Sequence, residues 1–394
     1  STGLISLGSA VRLRPPLPQR TLNLKKINKA LQNIFKFFFY KVFALYYGKI
    51  KGKINFNVDP RVNVEIVEKE NNLRYKIYKI KNGRLYTDTI HDAAVILNNF
   101  IVEGPSYQLR TINNAEVEKN IVFKKGTPRI KKILKGRVLS LLTGGGGNTN
   151  YFHWLYDVLP RLALCEKILN LNKIDFFLLP STEKKFQIET LDLLNIPHKK
   201  RLSSKNFRHI GFSELYVTDH PHNVENDASK GMQNLPIWIS KWLKEKYIND
   251  NLNKEIKRPK KIYIERSDST SNSRNLRLIT NEDEVKSFLS NNGFKPIILA
   301  NLHFSEQVQI FNSAEMIAGL HGAGFGNLCF CKPGTKIIEF KSNPNEDVIE
   351  NLAITNKLIY KSISGPASES EAQDQFGNIN VSINLLKKIL ESLN

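Results

Sequence analysis

The stretch Gly319–Phe340, GLHGAGFGNLCFCKPGTKIIEF, limits the fold more than any other, because it sets a histidine and a glycine cluster between two apolar runs of strand length. Gly322, Gly324 and Gly326 lack Cβ, so they can take positive φ and let backbone N–H groups of the loop, Ala323 among them, approach an anion. His321 adds a side-chain donor, and Asn327 follows within the same loop. Lys332-Pro333-Gly334-Thr335 then turns the chain into Lys336–Phe340, an expected buried strand carrying Glu339. In open α/β sheets ligands sit at the C-terminal ends of parallel strands, where Glu339 is expected to accept from a ribose or sugar hydroxyl.

Two further segments carry chemistry. In Gly144–Leu164, GGGGNTNYFHWLYDVLPRLAL, His153 and Asp157 stand four residues apart on an expected helix, which puts both on one face. Gly146, Asn150 and Arg161 flank them and are expected on an acceptor side, with the four glycines as its edge. The glycine run lacks the Gly-Lys-Ser/Thr that a nucleoside-triphosphate loop requires. In Ile262–Leu276, IYIERSDSTSNSRNL, an apolar strand leads into Arg266 and a polar loop with Arg274 and Asn275. A guanidinium is a planar fork suited to phosphate.

Together, HWLYDVLPRL, the strand-then-arginine segment and the histidine–glycine loop resemble glycosyltransferase family 61, the family of the DUF563 domain, over about half the chain, residues 144–360. The resemblance implies an α/β fold of GT-B type, two Rossmann-like domains facing a cleft. It also implies inverting, metal-independent transfer of a sugar from a nucleotide-sugar donor, of UDP type, with no cofactor. On that basis Arg266, Arg274, Asn275, His321, Gly322, Ala323, Gly324, Asn327 and Glu339 are the expected donor residues. Asp157 and His153 compete for the role of base: a carboxylate is the simpler acceptor, whereas an imidazole titrates nearest neutrality and can be oriented by a carboxylate. The chain has no Asp-x-Asp pair, the usual anchor for a divalent ion on a nucleotide sugar. Bacterial members imply capsule or lipopolysaccharide assembly, with a surface polysaccharide or glycolipid as acceptor.

With 394 residues, 41% of them hydrophobic, the chain can bury two sizeable cores. It carries 58 basic against 37 acidic residues, a net +21, which favours a polyanionic partner. That charge also motivates the other reading, a non-catalytic protein binding nucleic acid or an anionic glycan on a Rossmann-like scaffold, although no specific nucleic acid is expected. Cys165, Cys329 and Cys331 form no disulfide framework and suggest reduced thiols packed in the core.

Residues 1–54 form a basic, aromatic arm. Lysines at 36 and 41 interrupt the apolar run Ile34–Tyr47, so the arm is expected to lie in a membrane interface or to pack on the body, not to span a bilayer. No apolar core of signal-peptide length is found in residues 1–20, which leads to an expected cytoplasmic, peripheral location at the inner membrane face. Alternating strand and helix patterns then divide the rest: an acceptor domain at 55–248, a polar linker at 249–261, a nucleotide-sugar domain at 262–380 and a closing helix at 381–394.

Overall fold

The computed structural model describes residues 19–89, 91–108, 117–143, 149–222, 234–248, 258–266, 277–345, 347–369 and 377–393. Gly146, Arg274, Asn275 and most of the expected linker lie outside the described residues.

The protein is a mixed α/β structure with two sheets. The first has ten strands: β1 (Gly52–Ile54), β2 (Val62–Lys69), β3 (Leu73–Thr87), β4 (Asp92–Leu97), β5 (Phe100–Val102), β6 (Tyr107–Gln108), β7 (Lys132–Ser140), β8 (Phe176–Leu179), β9 (Arg201–Ser203) and β10 (His209–Thr218). β2 to β5 run as antiparallel neighbours, and the β2–β3 and β4–β5 turns are asparagine pairs: Asn71, Asn72, Asn98 and Asn99 adopt positive φ. A short amide side chain tolerates that region better than any other residue but glycine. The other part is parallel, in the order β10-β7-β8-β9. The chain starts at β7, builds outward through β8 and β9, and then returns to the other side of β7 as β10. Strand order therefore reverses between β7 and β10.

The second sheet is wholly parallel, in the order β12-β11-β13-β14-β15, from β11 (Lys261–Ile264), β12 (Lys295–Ile297), β13 (Met316–Leu320), β14 (Lys336–Lys341) and β15 (Ile359–Ser364). Helices Glu282–Asn291, Phe304–Ser313 and Val348–Thr355 make the crossovers. Here the reversal falls between β11 and β13. The strands at its centre are continuous apolar runs, as expected where helices cover both faces. Ile262, Ile317 and Ile337 are fully buried.

One hydrophobic core runs between the sheets. It joins Leu139, Phe177 and Leu179 of the first sheet to Ile264, Ile317 and Ile337 of the second, through Trp154, Leu155 and Leu159 and through Trp238, Trp242 and Leu243 of helix Ile237–Tyr247. All three cysteines are free and buried, and burial pushes the Cys165 and Cys329 thiols up to about 12. They act as small apolar side chains.

Candidate functional site

The segment that leaves β7 enters the helix bearing the His153/Asp157 pair. Asn150 caps it: Oδ1 accepts from the backbone N–H of Phe152 (2.9 Å) and His153 (3.3 Å). The cap positions the turn holding His153, and Asn150 itself is exposed beside it. The helix is not uniform. Tyr151–His153 is α-helical, Trp154–Val158 widens into a π turn closed by Leu159 N–H to Trp154 O (3.1 Å), and Pro160–Cys165 is α-helical again. Proline has no N–H, so the preceding turn lacks one of its usual donors and the helix register changes there.

Asp157 is 4% exposed and held from both sides. Its Oδ2 lies 2.7 Å from His153 Nδ1, and its Oδ1 lies 2.7 Å from His222 Nε2. His222 follows β10 directly, in Asp219-His220-Pro221-His222, so the pair formed within one helix is completed by a residue from the other side of the strand-order reversal. A carboxylate only accepts, so His222 carries its proton on Nε2; its Nδ1, like that of His220, is buried without a partner among the described residues. Burial alone would raise the Asp157 pKa, but the charges and hydrogen bonds of His153 and His222 outweigh it and hold the carboxyl well below its usual range. Burial opposes charge on His153 too, and the Asp157 carboxylate overcomes it, raising the imidazole above its ordinary value. His220 is driven well below its ordinary value, by burial first and then by His222.

Asp157, His220 and His222 can bring three ligand atoms within 4.8 Å of one another, the donor set of a cation site. Both Asp157 oxygens are already taken by imidazoles, however, an arrangement that orients and transfers protons. His153 is the member that reaches solvent, with 30% of its side chain exposed. Asp157 is enclosed behind it.

Arg161 corrects an expectation. It is 1% exposed, and its guanidinium donates Nε to the Asp157 carbonyl (3.0 Å) and Nη1 to the Thr218 carbonyl (3.1 Å) and Oγ1 (3.2 Å). It ties the site helix to the end of β10 and does not line an acceptor surface; nor does it pair with the Asp157 carboxylate.

The second reversal, between β11 and β13, gathers the other motif. Arg266 follows β11 and donates Nη1 to the carbonyl of His321, which follows β13 (3.0 Å). His321 Nδ1 meets Glu339 Oε1 of β14 at 2.5 Å, and Tyr360 of β15 donates to Glu339 Oε2 at 2.5 Å. Glu339 is fully buried with both oxygens engaged. It orients His321 from behind, which corrects the expectation that it accepts from a sugar hydroxyl.

The glycines serve close approach, not unusual dihedrals. Gly322 has φ 169°, an extended value open to any residue, and Gly324 and Gly326 fall within the 3-10 helix Ala323–Phe330. A Cβ on Gly322 would stand 3.0 Å from Arg266 Nη1, and one on Gly324 would stand 2.9 Å from Leu299 Cδ1. Beside them lies a cavity of about 400 Å³, whose wall includes Arg266, Gly322, Ala323, Gly324, Tyr151 and Phe186. Its size suits a nucleotide-sized ligand. Lys184 and Lys185 also line it, and neither was anticipated.

Asn327 is another correction. It is fully buried, accepts from Tyr151 Oη (2.5 Å) and donates to Gln307 (3.1 Å), while Tyr156 Oη donates to the Gly326 carbonyl (2.8 Å). These bonds lock the glycine segment onto the site helix, so Asn327 joins the two motifs instead of contacting a ligand. Tyr151 thereby belongs to both: it lines the cavity and stands two residues from His153.

Two polar sites, each at the carboxyl ends of parallel strands where strand order reverses, define an α/β protein built to hold a ligand in a crevice. The family model described as Glycosyltransferase 61 matches residues 151–338, from the site helix through the glycine loop into β14. Over these residues, a little under half of its length, the chain is similar to glycosyltransferase family 61, a match that supports glycosyl transfer as the class of activity. No curated protein matches it.

Proposed function

We propose that the protein is an inverting glycosyltransferase of GT-B type that needs no metal for donor binding. A nucleoside diphosphate sugar, UDP-linked, occupies the cavity beside Arg266 and Gly322–Gly324, its base against Tyr151 and Phe186. The acceptor is a hydroxyl of a polysaccharide or glycolipid, of the kind used in capsule or lipopolysaccharide assembly. His153 takes the acceptor proton on Nε2 while that oxygen bonds the anomeric carbon. The anomeric C–O bond breaks in the same step, and its electron pair leaves with the diphosphate. Arg266 and the N-terminal end of the Ala323–Phe330 helix meet the developing charge.

Asp157 holds Nδ1–H of His153 so that Nε2 is bare and directed outward, and it stabilises the imidazolium that forms. His222 holds Asp157 in turn. The observation that carries this reading is the buried carboxylate bonded to two histidines, only one of which reaches solvent.

A thermal-shift series of the purified protein with UDP, GDP, CMP and their sugar conjugates, with and without EDTA, tests it. The expected result is a higher melting temperature with one nucleotide, unchanged by EDTA and lost in Arg266→Ala. A shift abolished by EDTA overturns the metal-free reading, and an unaltered shift in Arg266→Ala overturns the assignment of the diphosphate.

A further inference from the structure

The helix Gln19–Tyr47 carries an apolar stripe that faces away from the protein. Ile27, Leu31, Ile34, Phe35, Phe38, Val42 and Leu45 recur at helical spacing along one face, about 27 Å at 1.5 Å per residue. All are exposed, from 41% for Val42 to 87% for Leu45. The opposite face of the last turns docks on the body: the Tyr47 ring meets the His209 ring at 4.8 Å, and Lys131 N–H donates to Tyr47 Oη (2.8 Å). The stripe is thus held outward by a fixed anchor. A solvated helix has no reason to present seven large apolar side chains in register.

The charge around the stripe has one sign. The helix contains Arg20, Lys25, Lys26, Lys29, Lys36 and Lys41 and no acidic residue. At its foot a niche is lined by Tyr46, Tyr47, Arg84, Lys131 and Ile133, and the exposed side chains of Ile130 and Ile133 continue the apolar surface onto the body. Lys131 beside these apolar side chains matches a phosphate headgroup above acyl chains, while Arg84 adds positive charge from behind, bonded to Thr127 and Asn99. A second copy of the chain is a poor occupant, since pairing two such stripes brings lysines together with no carboxylate between them. No helix among the described residues is long and apolar enough to cross a membrane. A basic helix with one exposed apolar face suits the membrane interface.

We propose that residues 27–45, with the niche at Arg84 and Lys131, dock the protein on an anionic lipid bilayer, the apolar face sunk to headgroup depth. This stands apart from the transfer reaction and does not depend on it.

Co-sedimentation of the full chain with phosphatidylcholine vesicles, and with vesicles containing phosphatidylglycerol, provides the test. Binding is expected to the anionic vesicles, to weaken as salt is raised, and to fall about tenfold or more in Phe35→Asp/Leu45→Asp, since losing about 1.4 kcal/mol of apolar insertion is already tenfold. Both positions are exposed, so the fold should tolerate the change. As a second readout, Phe38→Trp should give blue-shifted emission with anionic vesicles. Equal binding by the double variant, or no binding by the parent protein, overturns the proposal. So does a dimer in light scattering that the same double variant dissolves, which would assign the stripe to a second copy.

Discussion

Replacing Arg161 by leucine should cost stability, not ligand contact. The residue is buried within the wall that joins the site helix to β10, and its three hydrogen bonds reach the Asp157 carbonyl and both oxygens of Thr218. A hydrogen bond from a charged donor contributes about 1.5–3 kcal/mol. The three share one guanidinium and are not simply additive; its removal leaves three buried acceptors, each costing about 1–3 kcal/mol if unsatisfied. Leucine refills part of the stem volume, so the lower end for all three, about 3 kcal/mol, is the expectation. Arg161→Lys should recover little, because a single ammonium cannot bridge two elements as the fork does. Urea unfolding followed by tryptophan emission is the assay, since Trp154 lies in the same helix and Trp238 and Trp242 lie in the same core. An Arg161→Leu protein that unfolds at the parent midpoint, yet fails to use acceptor, would refute the reasoning and return Arg161 to the acceptor surface.

His153→Asn should lower turnover by about 10²–10⁴, the usual contribution of a general base, and leave nucleotide affinity unchanged; retained turnover in a single-turnover assay removes it from the mechanism. A base must be neutral, so the transfer rate should rise as pH climbs through the His153 pKa, which Asp157 holds above the ordinary imidazole value. Asp157→Asn removes that charge, and the acidic limb of the rate profile should move to lower pH; a limb that stays in place assigns it to another group. The same pair sets opposite stability trends: the His153 contribution is full below the unfolded imidazole value and fades as pH rises through the folded one. The Asp157 contribution is full above the unfolded carboxyl value and fades as pH falls through the depressed folded one. Asn327→Leu, which orphans Tyr151 Oη and Gln307 Oε1, should destabilise by about 1–3 kcal/mol without changing nucleotide affinity, as measured by calorimetry; weaker affinity at unchanged stability would make it a donor residue.

What the sequence reveals follows from where its signals are local. Phe176–Leu179, Lys261–Ile264 and Lys336–Phe340 are compact apolar runs bounded by breakers, and each is a strand in the structure. The spacing of His153 and Asp157 on one helical turn needs no tertiary knowledge, and the two side chains do meet. Ile359–Ser364 is harder to read. It is the edge strand of its sheet, with Ile359, Lys361 and Ser364 exposed, and so lacks the continuous apolar run of its neighbours.

Sequence is least informative where a polar side chain can serve either a ligand or a buried partner. Arg161, Asn327 and Glu339 are types that ligand sites use, and each sits beside a motif, yet each has at least one polar atom engaged by a group 18 or more residues distant in the chain. Sequence spacing cannot see such partners. His222 shows the converse. His220-Pro221-His222 directly after an expected strand is a visible signal, but its meaning depends on β10 returning to lie beside β7. That return makes the strand-order reversal, and the reversal is what leaves a gap at the carboxyl ends for a site. The same holds in the second sheet, where Arg266 and His321 are far apart in sequence and adjacent only because β13 returns to β11. In both sheets the chemistry-bearing residues gather where the strands that flank the reversal end, so topology, more than any single motif, selects which polar residues of this chain come together.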